Sequence, residues 1–359
     1  MAIRFLTSGE SHGKCLNAII EGIPFGYELD FDFINSELSA RQKGYGRGGR
    51  MKIETDKIKI NSGVRFSKTM ASPICIEIEN KDWQNWQIPM SVEKHDENVE
   101  KITNFRPAHS DLAAYIKYGF DDIRYSLERS SARETATRVA VGAICQNILK
   151  YYNIEFLSDV LSIGKCDKKD EFESYIDKFK NEGDSLGGII KVTIKNVPMG
   201  LGSYIHWDKR LDGRLAQAMM SIPAIKSVEI GLGKEYAYVS GSKSHDEIYY
   251  ENGKYYHKTN NSGGIEGGIT NGEDIVLTLA MKPIPTMKKA LNSVEMKTHN
   301  TVTAHFERAD NCAVEAAGVV ARNMCAIIIL DAFLEKFTAD TKEDIDISYE
   351  QYKKRISKM

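Results

Sequence analysis

The sequence has few cysteines, and none of them lie close together. The six stand at Cys15, Cys75, Cys145, Cys166, Cys312 and Cys325. Disulfide-stapled secreted domains and structural zinc modules both need closely spaced cysteines. Both classes are therefore excluded, and we expect reduced cysteines in the core of a cytosolic protein.

Long apolar runs and an excess of charge are also absent. The sequence contains no run of about eighteen apolar residues, and "MAIRFLTSGESHG" at its start lacks the apolar core of a signal peptide. The formal net charge is −2, from 48 basic and 50 acidic residues. This balance argues against general nucleic-acid binding, so any anion site must be a local cluster. We expect a cytoplasmic protein.

Strand and helix patterns are interleaved without a regular alternation. Alternating or β-branched runs predict strands at residues 57–64, 72–80, 187–198, 226–233 and 273–283. Apolar spacing predicts helices at residues 131–152, 208–222 and 313–337, and the last is apolar nearly all round, which indicates a buried helix. The irregular order predicts a mixed α+β fold rather than a doubly wound sheet.

Polar residues mark the expected helix starts. Ser131 and Glu134 have the spacing of a capping box, and Asp208 stands at the start of the second helix. Asp310 or Asn311 could cap the third. The last twenty or so residues are polar, and we expect a tail there.

The loop "GESHGK" has some features of a phosphate-binding loop but fails as one. Only three residues separate Gly9 from Gly13, and Cys15 stands where a magnesium-binding hydroxyl is needed. What is left is His12 in a tight loop, where a ligand could approach the backbone closely. Taken alone, the motif is more simply a turn with a solvated histidine.

The segment "ARQKGYGRGGRMK" (40–52) combines four glycines with five basic residues and no acid. Its glycine spacing does not fit a dinucleotide-binding turn. Glycines allow Arg41, Arg47 and Arg50 to converge on one compact anion, and guanidinium groups match carboxylate and phosphate oxygens. A nucleic-acid loop is the alternative, which the scarcity of stacking aromatics disfavours.

The motif "NFRPAHSD" (104–111) places Arg106 and His109 on either side of a rigid proline. Next to an anion-binding arginine, a histidine could protonate a leaving group, because both of its protonation states are accessible near neutrality. A lone histidine is more often structural, so this prediction depends on its neighbours.

The motif "LERSSARETA" (127–136) puts Arg129, Ser130, Ser131 and Arg133 at an expected helix start. Free backbone N–H groups, hydroxyls and the helix dipole favour an anion there. An ordinary helix cap would use the same residues.

Three later segments are weaker signals: the glycine-dense "NNSGGIEGGITNGED" (260–274), the proline pair of "MKPIPT" (281–286), and "FERADN" (306–311) before the last helix. Each also occurs in ordinary turns and caps. A functional interpretation of these segments depends on the other motifs in the sequence.

In serial order, "GESHG", "RQKGYGRGGR", "RPAHSD", "LERSSARETA", "GLGSYIHWDKRLDGRLAQAMMSI", "GGIEGGITNGE", "KPIPT" and "ERADNC" resemble the chorismate synthases, over about residues 3–337. The resemblance implies an anti 1,4-elimination of phosphate from 5-enolpyruvylshikimate 3-phosphate. It also implies dependence on reduced FMN, without net redox change. The implied fold is a β-α-β sandwich, with long helices between antiparallel sheets, in a homotetramer. The implied catalytic domain spans 1–337 and the polar tail 338–359.

The resemblance implies roles for individual residues. His12 would stabilise the reduced flavin, His109 would protonate the departing phosphate, and Asp310 would act with the flavin in removing the ring proton. The substrate's anionic groups would be bound by Arg41, Arg47, Arg50, Arg106, Ser131 and Arg133. FMN would be held by Arg129, Ser130, Ser131, Pro223, Ala224, Gly267, Lys282, Pro283, Ile284, Pro285, Thr286 and Arg308.

Four positions depart from the usual family pattern. Ala40 replaces an arginine, Lys43 follows Gln42 in the basic segment, Ala108 replaces the glycine of "RPGH", and Pro223 replaces an asparagine. A side-chain contact with flavin at position 223 is therefore not expected. No extra domain is present to reduce the flavin, so we expect an external reductase. A self-sufficient flavin reductase and a polyanion-binding module are the two competing functions.

Overall fold

The computed structural model describes residues 3–49, 54–96, 98–251, 253–289, 291–306 and 310–359. Its strands are β1 (Arg4–Ser8), β2 (Cys15–Glu21), β3 (Lys59–Ser62), β4 (Val64–Arg65), β5 (Lys68–Thr69), β6 (Ile74–Glu79), β7 (Glu155–Ile163), β8 (Gly188–Lys195), β9 (Ile225–Ile230), β10 (Ile248–Glu251), β11 (Lys254–His257), β12 (Ile265–Glu266), β13 (Ile269–Thr270), β14 (Ile275–Met281), β15 (Asn292–Val294) and β16 (Thr301–Thr303). Its α-helices are α1 (Phe31–Gln42), α2 (Asp111–Tyr118), α3 (Arg124–Ser130), α4 (Thr135–Lys150), α5 (Phe172–Asn181), α6 (Leu211–Met220), α7 (Gly241–Ser244), α8 (Val314–Lys336) and α9 (Lys342–Ile356).

Two four-stranded antiparallel sheets form the outer layers, in the orders β1-β2-β6-β3 and β7-β8-β14-β9. Every second residue is buried along the central strands β6, β8 and β14, because one face of each sheet meets the helices. Four predicted strands are confirmed as β6, β8, β9 and β14. The predicted strand at 57–64 instead divides into β3 and β4 at Gly63, whose φ of +84° turns the chain.

Helices α4 and α8 lie side by side between the sheets. Helix α4 packs on β2 and β6, while α8 packs on β7 and β8. They approach closely because Gly142 has no side chain: a Cβ there would stand 2.3 Å from the backbone oxygen of Asn323. The predicted α+β fold, a helical layer between antiparallel sheets, is confirmed.

Helix α8 is long and apolar enough to cross a membrane, but 89% of its most apolar window is buried inside the protein. This burial is what its composition predicts for a core helix. A polar network crosses the same layer. Glu37 of α1 accepts hydrogen bonds from Arg322 (2.7 and 2.9 Å) and from Asn323 (2.7 Å), so no charge in this network is left unpaired.

The predicted helix caps are wrong in detail. Ser131 accepts a hydrogen bond from Arg133 N (3.3 Å) and caps a 3₁₀ turn, Ala132–Glu134, rather than α4. Asp208 lies in another 3₁₀ turn and contacts His206, and α6 begins without a side-chain cap. Helix α8 follows Ala313, because Asp310 and Asn311 bond to other segments. Long-range partners replace the local cap only before α8, whereas Ser131 and Asp208 each bond to a residue two positions away.

The polar residues after 337 include helix α9, which begins at the capping Thr341. One side of α9 is apolar: Ile345 is fully buried, and the ring of Tyr349 lies 5.2 Å from that of Phe337. Asp346 of α9 also accepts a hydrogen bond from Tyr152 (3.0 Å). These contacts fasten the C-terminal segment to α4 and α8.

Candidate active site

Arg133 of the predicted site is buried and has several side-chain partners. It follows α3 in the 3₁₀ turn and is 4% exposed. Its Nη1 donates to Asp56 (2.6 Å), its Nε donates to Asn80 (2.9 Å), and its Nη2 lies 3.7 Å from Glu54. Two buried acids therefore compensate this guanidinium, which binds the start of α4 to β6.

Asn80, at the end of β6, joins Arg133 to the loop of His12. While its Oδ1 accepts from Arg133, its Nδ2 donates to the backbone oxygens of Gly13 (2.7 Å) and Glu10 (3.1 Å). Asn80 is 1% exposed, so a complete set of partners is needed for its amide. The "GESHG" loop and the "RSSARE" turn are thus one connected structure.

His12 lies in the β1–β2 loop between a carboxylate and an indole ring. Its Nδ1 is 3.0 Å from Oε1 of Glu128, and its ring centroid is 4.1 Å from that of Trp86. Arg124 pairs with the same carboxylate (3.2 Å) and lies over Trp86. The alternative of a solvated histidine in a simple turn is therefore wrong.

Arg41 ends α1 beside Arg133 and is 3% exposed. Its Nη2 donates to the backbone oxygen of Arg133 (3.5 Å), whereas its buried Nε has no hydrogen-bond partner among the residues that the structure describes. Burial lowers the pKa of Arg41 to about 10. The nearby cations Arg133 and Arg47 also lower this pKa, whereas Asp56 and Asp310 raise it. A buried, incompletely paired cation of this kind favours an anionic ligand.

The glycine-rich segment after α1 meets the segment before α8. Gly48 N donates to Asp310 Oδ1 (2.6 Å), and Arg47 Nε lies 3.2 Å from Asp310 Oδ2. This contact brings Arg47 and Asp310 together, near enough to Arg41 to affect its pKa. Arg50 and Arg308 lie outside the described residues.

Arg106 and His109 share the buried carboxylate of Asp111. Arg106 donates to it through Nε and Nη2, both at 2.8 Å, and Nδ1 of His109 lies 3.2 Å from Oδ1 and 3.0 Å from Arg106 Nη2. Burial alone would raise the pKa of Asp111, but these hydrogen bonds hold the pKa well below its ordinary value. The imidazole of His109 therefore contacts both members of the buried Arg106–Asp111 ion pair.

Helix α3 connects the two histidine clusters. Ser126 donates to Asp111 Oδ1 (3.4 Å), Glu128 holds His12, and Arg129 donates to the backbone oxygens of Thr7 (2.9 Å) and Gly9 (3.3 Å). The hydroxyl of Ser130 donates inside the helix, to the oxygen of Ser126 (2.5 Å).

The predicted flavin segments partly converge. Lys282 N donates to the oxygen of Ala224 (2.9 Å), and its Nζ donates to the oxygen of Ala108 (2.5 Å), next to His109. Pro107, Pro285 and Phe306 line one small pocket. The oxygen of Ile284 accepts from Ser185, and Thr286 is buried.

Three further predicted flavin positions are Pro223, Pro283 and Gly267. Pro223 precedes Ala224 in the turn between α6 and β9, and Pro283 follows Lys282. Gly267 (φ +59°) lies in the β12–β13 turn beside Tyr204. The described contacts of that turn run to residues 202–211 rather than to the clusters around Arg133 and Asp111.

Comparison with known proteins decides the family. A family model for chorismate synthase matches residues 3–334. A chorismate synthase of Sulfurihydrogenibium sp. (strain YO3AOP1) is 50% identical and covers 99% of both chains, and one of Caldanaerobacter subterraneus subsp. tengcongensis is 51% identical over 98% of both. A crystal structure of chorismate synthase is 41% identical, with a TM-score of 0.80 over 99% of both chains. The chain belongs to the chorismate synthase family.

As a member of the chorismate synthase family, the chain is a carbon–oxygen lyase that forms chorismate in the shikimate pathway, and the family implies a flavin cofactor. Departures from the usual pattern of chorismate synthases have structural counterparts. Ala40 packs against the core, where an arginine is usual. Ala108 keeps a φ of +60°, a conformation that glycine adopts more easily.

Several residues of this chorismate synthase site were not predicted from the sequence: Glu54, Asp56, Asn80, Trp86, Asp111 and Glu128. Asp111 and Glu128 lie inside the motifs "RPAHSD" and "LERSSARETA", so the motifs themselves were the available signal. Asn80 merely ends a strand, and Glu54 and Asp56 stand in a charged segment, where nothing local marks them as partners of Arg133.

Proposed function

We propose that this chain converts 5-enolpyruvylshikimate 3-phosphate into chorismate with reduced FMN as its flavin. The observation that carries the proposal is the guanidinium of Arg41, which is buried beside Arg133 and Arg47 and whose Nε has no hydrogen-bond partner within the described part of the chain. The substrate has two carboxylates and a phosphate, and an oxygen of one of these groups supplies the missing acceptor. Arg47, Arg50, Arg106, Ser131 and Arg133 complete the proposed anion-binding set.

The residues that would hold FMN are Arg129, Ser130, Ser131, Pro223, Ala224, Gly267, Lys282, Pro283, Ile284, Pro285, Thr286 and Arg308. The fit is supported by the hydrogen bonds that join Ala224 to Lys282 and Lys282 to Ala108. Burial lowers the pKa of the Lys282 ammonium, and Lys226 acts in the same direction, as expected where a further anion is accommodated. Reduced FMN, when bound, supplies electron density to the substrate and recovers it.

The chain's own groups handle the protons. His109, held against Arg106 and Asp111, gives a proton to the departing phosphate as the ring C–O bond breaks. Asp310, fixed by Arg47 and Gly48, takes part in removing the ring proton. Loss of phosphate and of one ring proton leaves no net oxidation. His12 holds a proton near the pyrimidine side of the flavin.

The remaining parts of the proposal concern the whole molecule. Residues 1–337 form the catalytic domain, the protein assembles as a cytoplasmic homotetramer, and an external reductase supplies the reduced flavin. Sedimentation of the purified protein with and without FMN tests the tetramer. A second function, self-sufficient flavin reduction, has no dinucleotide-binding motif to support it.

The deciding experiment is anaerobic product formation from purified protein, substrate and chemically reduced FMN, with oxidised FMN as the control. We expect phosphate and chorismate in equal amounts, only with reduced FMN and without its net consumption. Consumption of one NAD(P)H per product would instead support a flavin reductase. No product, together with salt-dependent binding to nucleic acid, would support the polyanion-binding module.

A further inference from the structure

Glu128 of α3 forms hydrogen bonds with two successive residues of the His12 loop. Its backbone oxygen accepts from Ser11 N (3.0 Å), its Oε2 accepts from His12 N (2.7 Å), and its Oε1 lies 3.0 Å from His12 Nδ1. The glutamate is 3% exposed, so its carboxylate depends on these protein donors rather than on water.

The other side of the imidazole is occupied by Trp86. The two rings are 4.1 Å apart between centroids and inclined by 35°. Arg124 completes the arrangement, because its Nη1 donates to Glu128 Oε1 (3.2 Å) and its guanidinium lies 4.9 Å from the centre of the Trp86 ring. The plane of the imidazole and the direction of its Nδ1 are both determined by neighbours.

We propose that Glu128 is a positioning residue for His12, which selects the Nδ1–H tautomer and thereby makes Nε2 the nitrogen that exchanges a proton with the ligand. A carboxylate only accepts hydrogen bonds, so the ring nitrogen that faces it must carry the hydrogen. Buried carboxylates orient imidazole in this way where a histidine transfers protons. The consequence for turnover rests on the proposed function, but the tautomer does not.

A purely structural role predicts a different result. Glu128 could simply hold the loop through Ser11 and the backbone of His12. In Glu128→Gln, the amide oxygen can still accept from His12 N, because the reverse orientation would set NH₂ against that N–H. The NH₂ group then faces Nδ1 as a donor, and Arg124 Nη1 loses its acceptor at that position. The loop is then retained, but the tautomer is reversed, with the hydrogen on Nε2. The two roles are therefore separable.

The first test is ¹⁵N NMR of histidine-labelled protein, in which the His12 signal is assigned by its loss in His12→Asn. We expect wild type to carry the hydrogen on Nδ1 and Glu128→Gln to move it to Nε2. Glu10→Gln, an exposed change in the same loop, is the matched control and should leave the spectrum unchanged. An unaltered tautomer in Glu128→Gln overturns the proposal, whatever the activity of the protein.

The second test is a double-mutant cycle in chorismate formation with reduced FMN. Glu128→Gln should lower kcat by about 10²-fold or more with little change in substrate KM, since it alters a proton donor rather than an anion site. In a His12→Ala background the same change should cost less than about twofold, because its effect passes through His12. If the losses of kcat in Glu128→Gln and in His12→Ala instead multiply in the double variant, the two residues act independently and the proposal is contradicted.

A second variant, Glu128→Asp, tests the proposal in case Glu128→Gln does not fold. Glu128→Asp keeps an acceptor-only carboxylate but withdraws it from Nδ1, so we expect the Nδ1–H tautomer with a smaller loss of kcat. Full activity in Glu128→Asp together with a changed tautomer would overturn the proposal. If wild type itself forms no chorismate, the proposed function fails, whereas the NMR result still decides the tautomer.

Discussion

Asp111 and Arg106 form a buried, two-point ion pair. Both hydrogen bonds from the guanidinium are 2.8 Å long, and the carboxylate is fully buried. Removing the charge of one partner from such a buried pair costs about 3–5 kcal/mol. We therefore expect Asp111→Asn to lower the free energy of unfolding by about this amount at pH 7.

The same pair makes the effect of Asp111→Asn depend on pH. The pKa of Asp111 is lowered in the folded state, so its contribution is complete above the ordinary carboxyl pKa of about 4 and is lost as pH falls below it. Denaturant titrations from pH 7 to pH 3 should show a constant difference between wild type and variant down to about pH 4.5, then a narrowing one. A difference independent of pH throughout would contradict the assignment.

Arg41 is predicted to bind the substrate's anionic groups through its Nε, for which the described residues supply no acceptor. Arg41→Ala should raise the apparent substrate KM by about 10- to 100-fold, the equivalent of one charge-assisted hydrogen bond, with a smaller effect on kcat. Lys43→Ala, an exposed change two residues away, is the matched control and should leave KM unchanged. An unchanged KM for a folded Arg41→Ala would remove Arg41 from the anion site.

Ala108 has a left-handed backbone conformation immediately before His109, with φ at +60°. Relief of this strain outweighs the entropy that glycine loses on folding, so Ala108→Gly should stabilise the protein by up to about 1 kcal/mol. Ala114→Gly, the same change inside α2, should instead destabilise it by about 1 kcal/mol. Thermal melts of the two variants compare them directly, and equal losses would mean that Ala108 is not strained.

The parts of this protein that could be predicted from the sequence are those that depend on local pattern. Alternation in residues 187–198 identified β8, and the apolar composition of 313–337 identified the buried helix α8. Motif order indicated the family, and hence the layered fold. The helix caps were not predicted in detail: Ser131 and Asp208 bond within 3₁₀ turns that precede α4 and α6, and Asp310 bonds to Gly48, a partner that the local sequence does not reveal.

The cationic residues of the anion site could be predicted from the sequence, but the acidic and polar residues that pair with them could not. The sequence motifs identify Arg41, Arg47 and Arg133, yet they do not show which of them stays available for a ligand. That distinction depends on Asp56 and Asn80, which are distant from Arg133 in the sequence but accept its hydrogen bonds. Arg41 Nε has no such acceptor among the described residues. Charge compensation in a buried site is a tertiary property.

Ile345 is the fully buried apolar residue of helix α9. Ile345→Ala shortens a fully buried side chain of the hydrophobic core, so it should lower the free energy of unfolding by about 2–4 kcal/mol. Ile347→Ala, two residues along the same helix and 52% exposed, is the control and should change it by less than about 0.5 kcal/mol. Denaturant titration gives both values. Equal, small effects would mean that residues 338–359 have no part in the stability of the catalytic domain, whereas the expected difference would show that α9 stabilises that domain by packing on it.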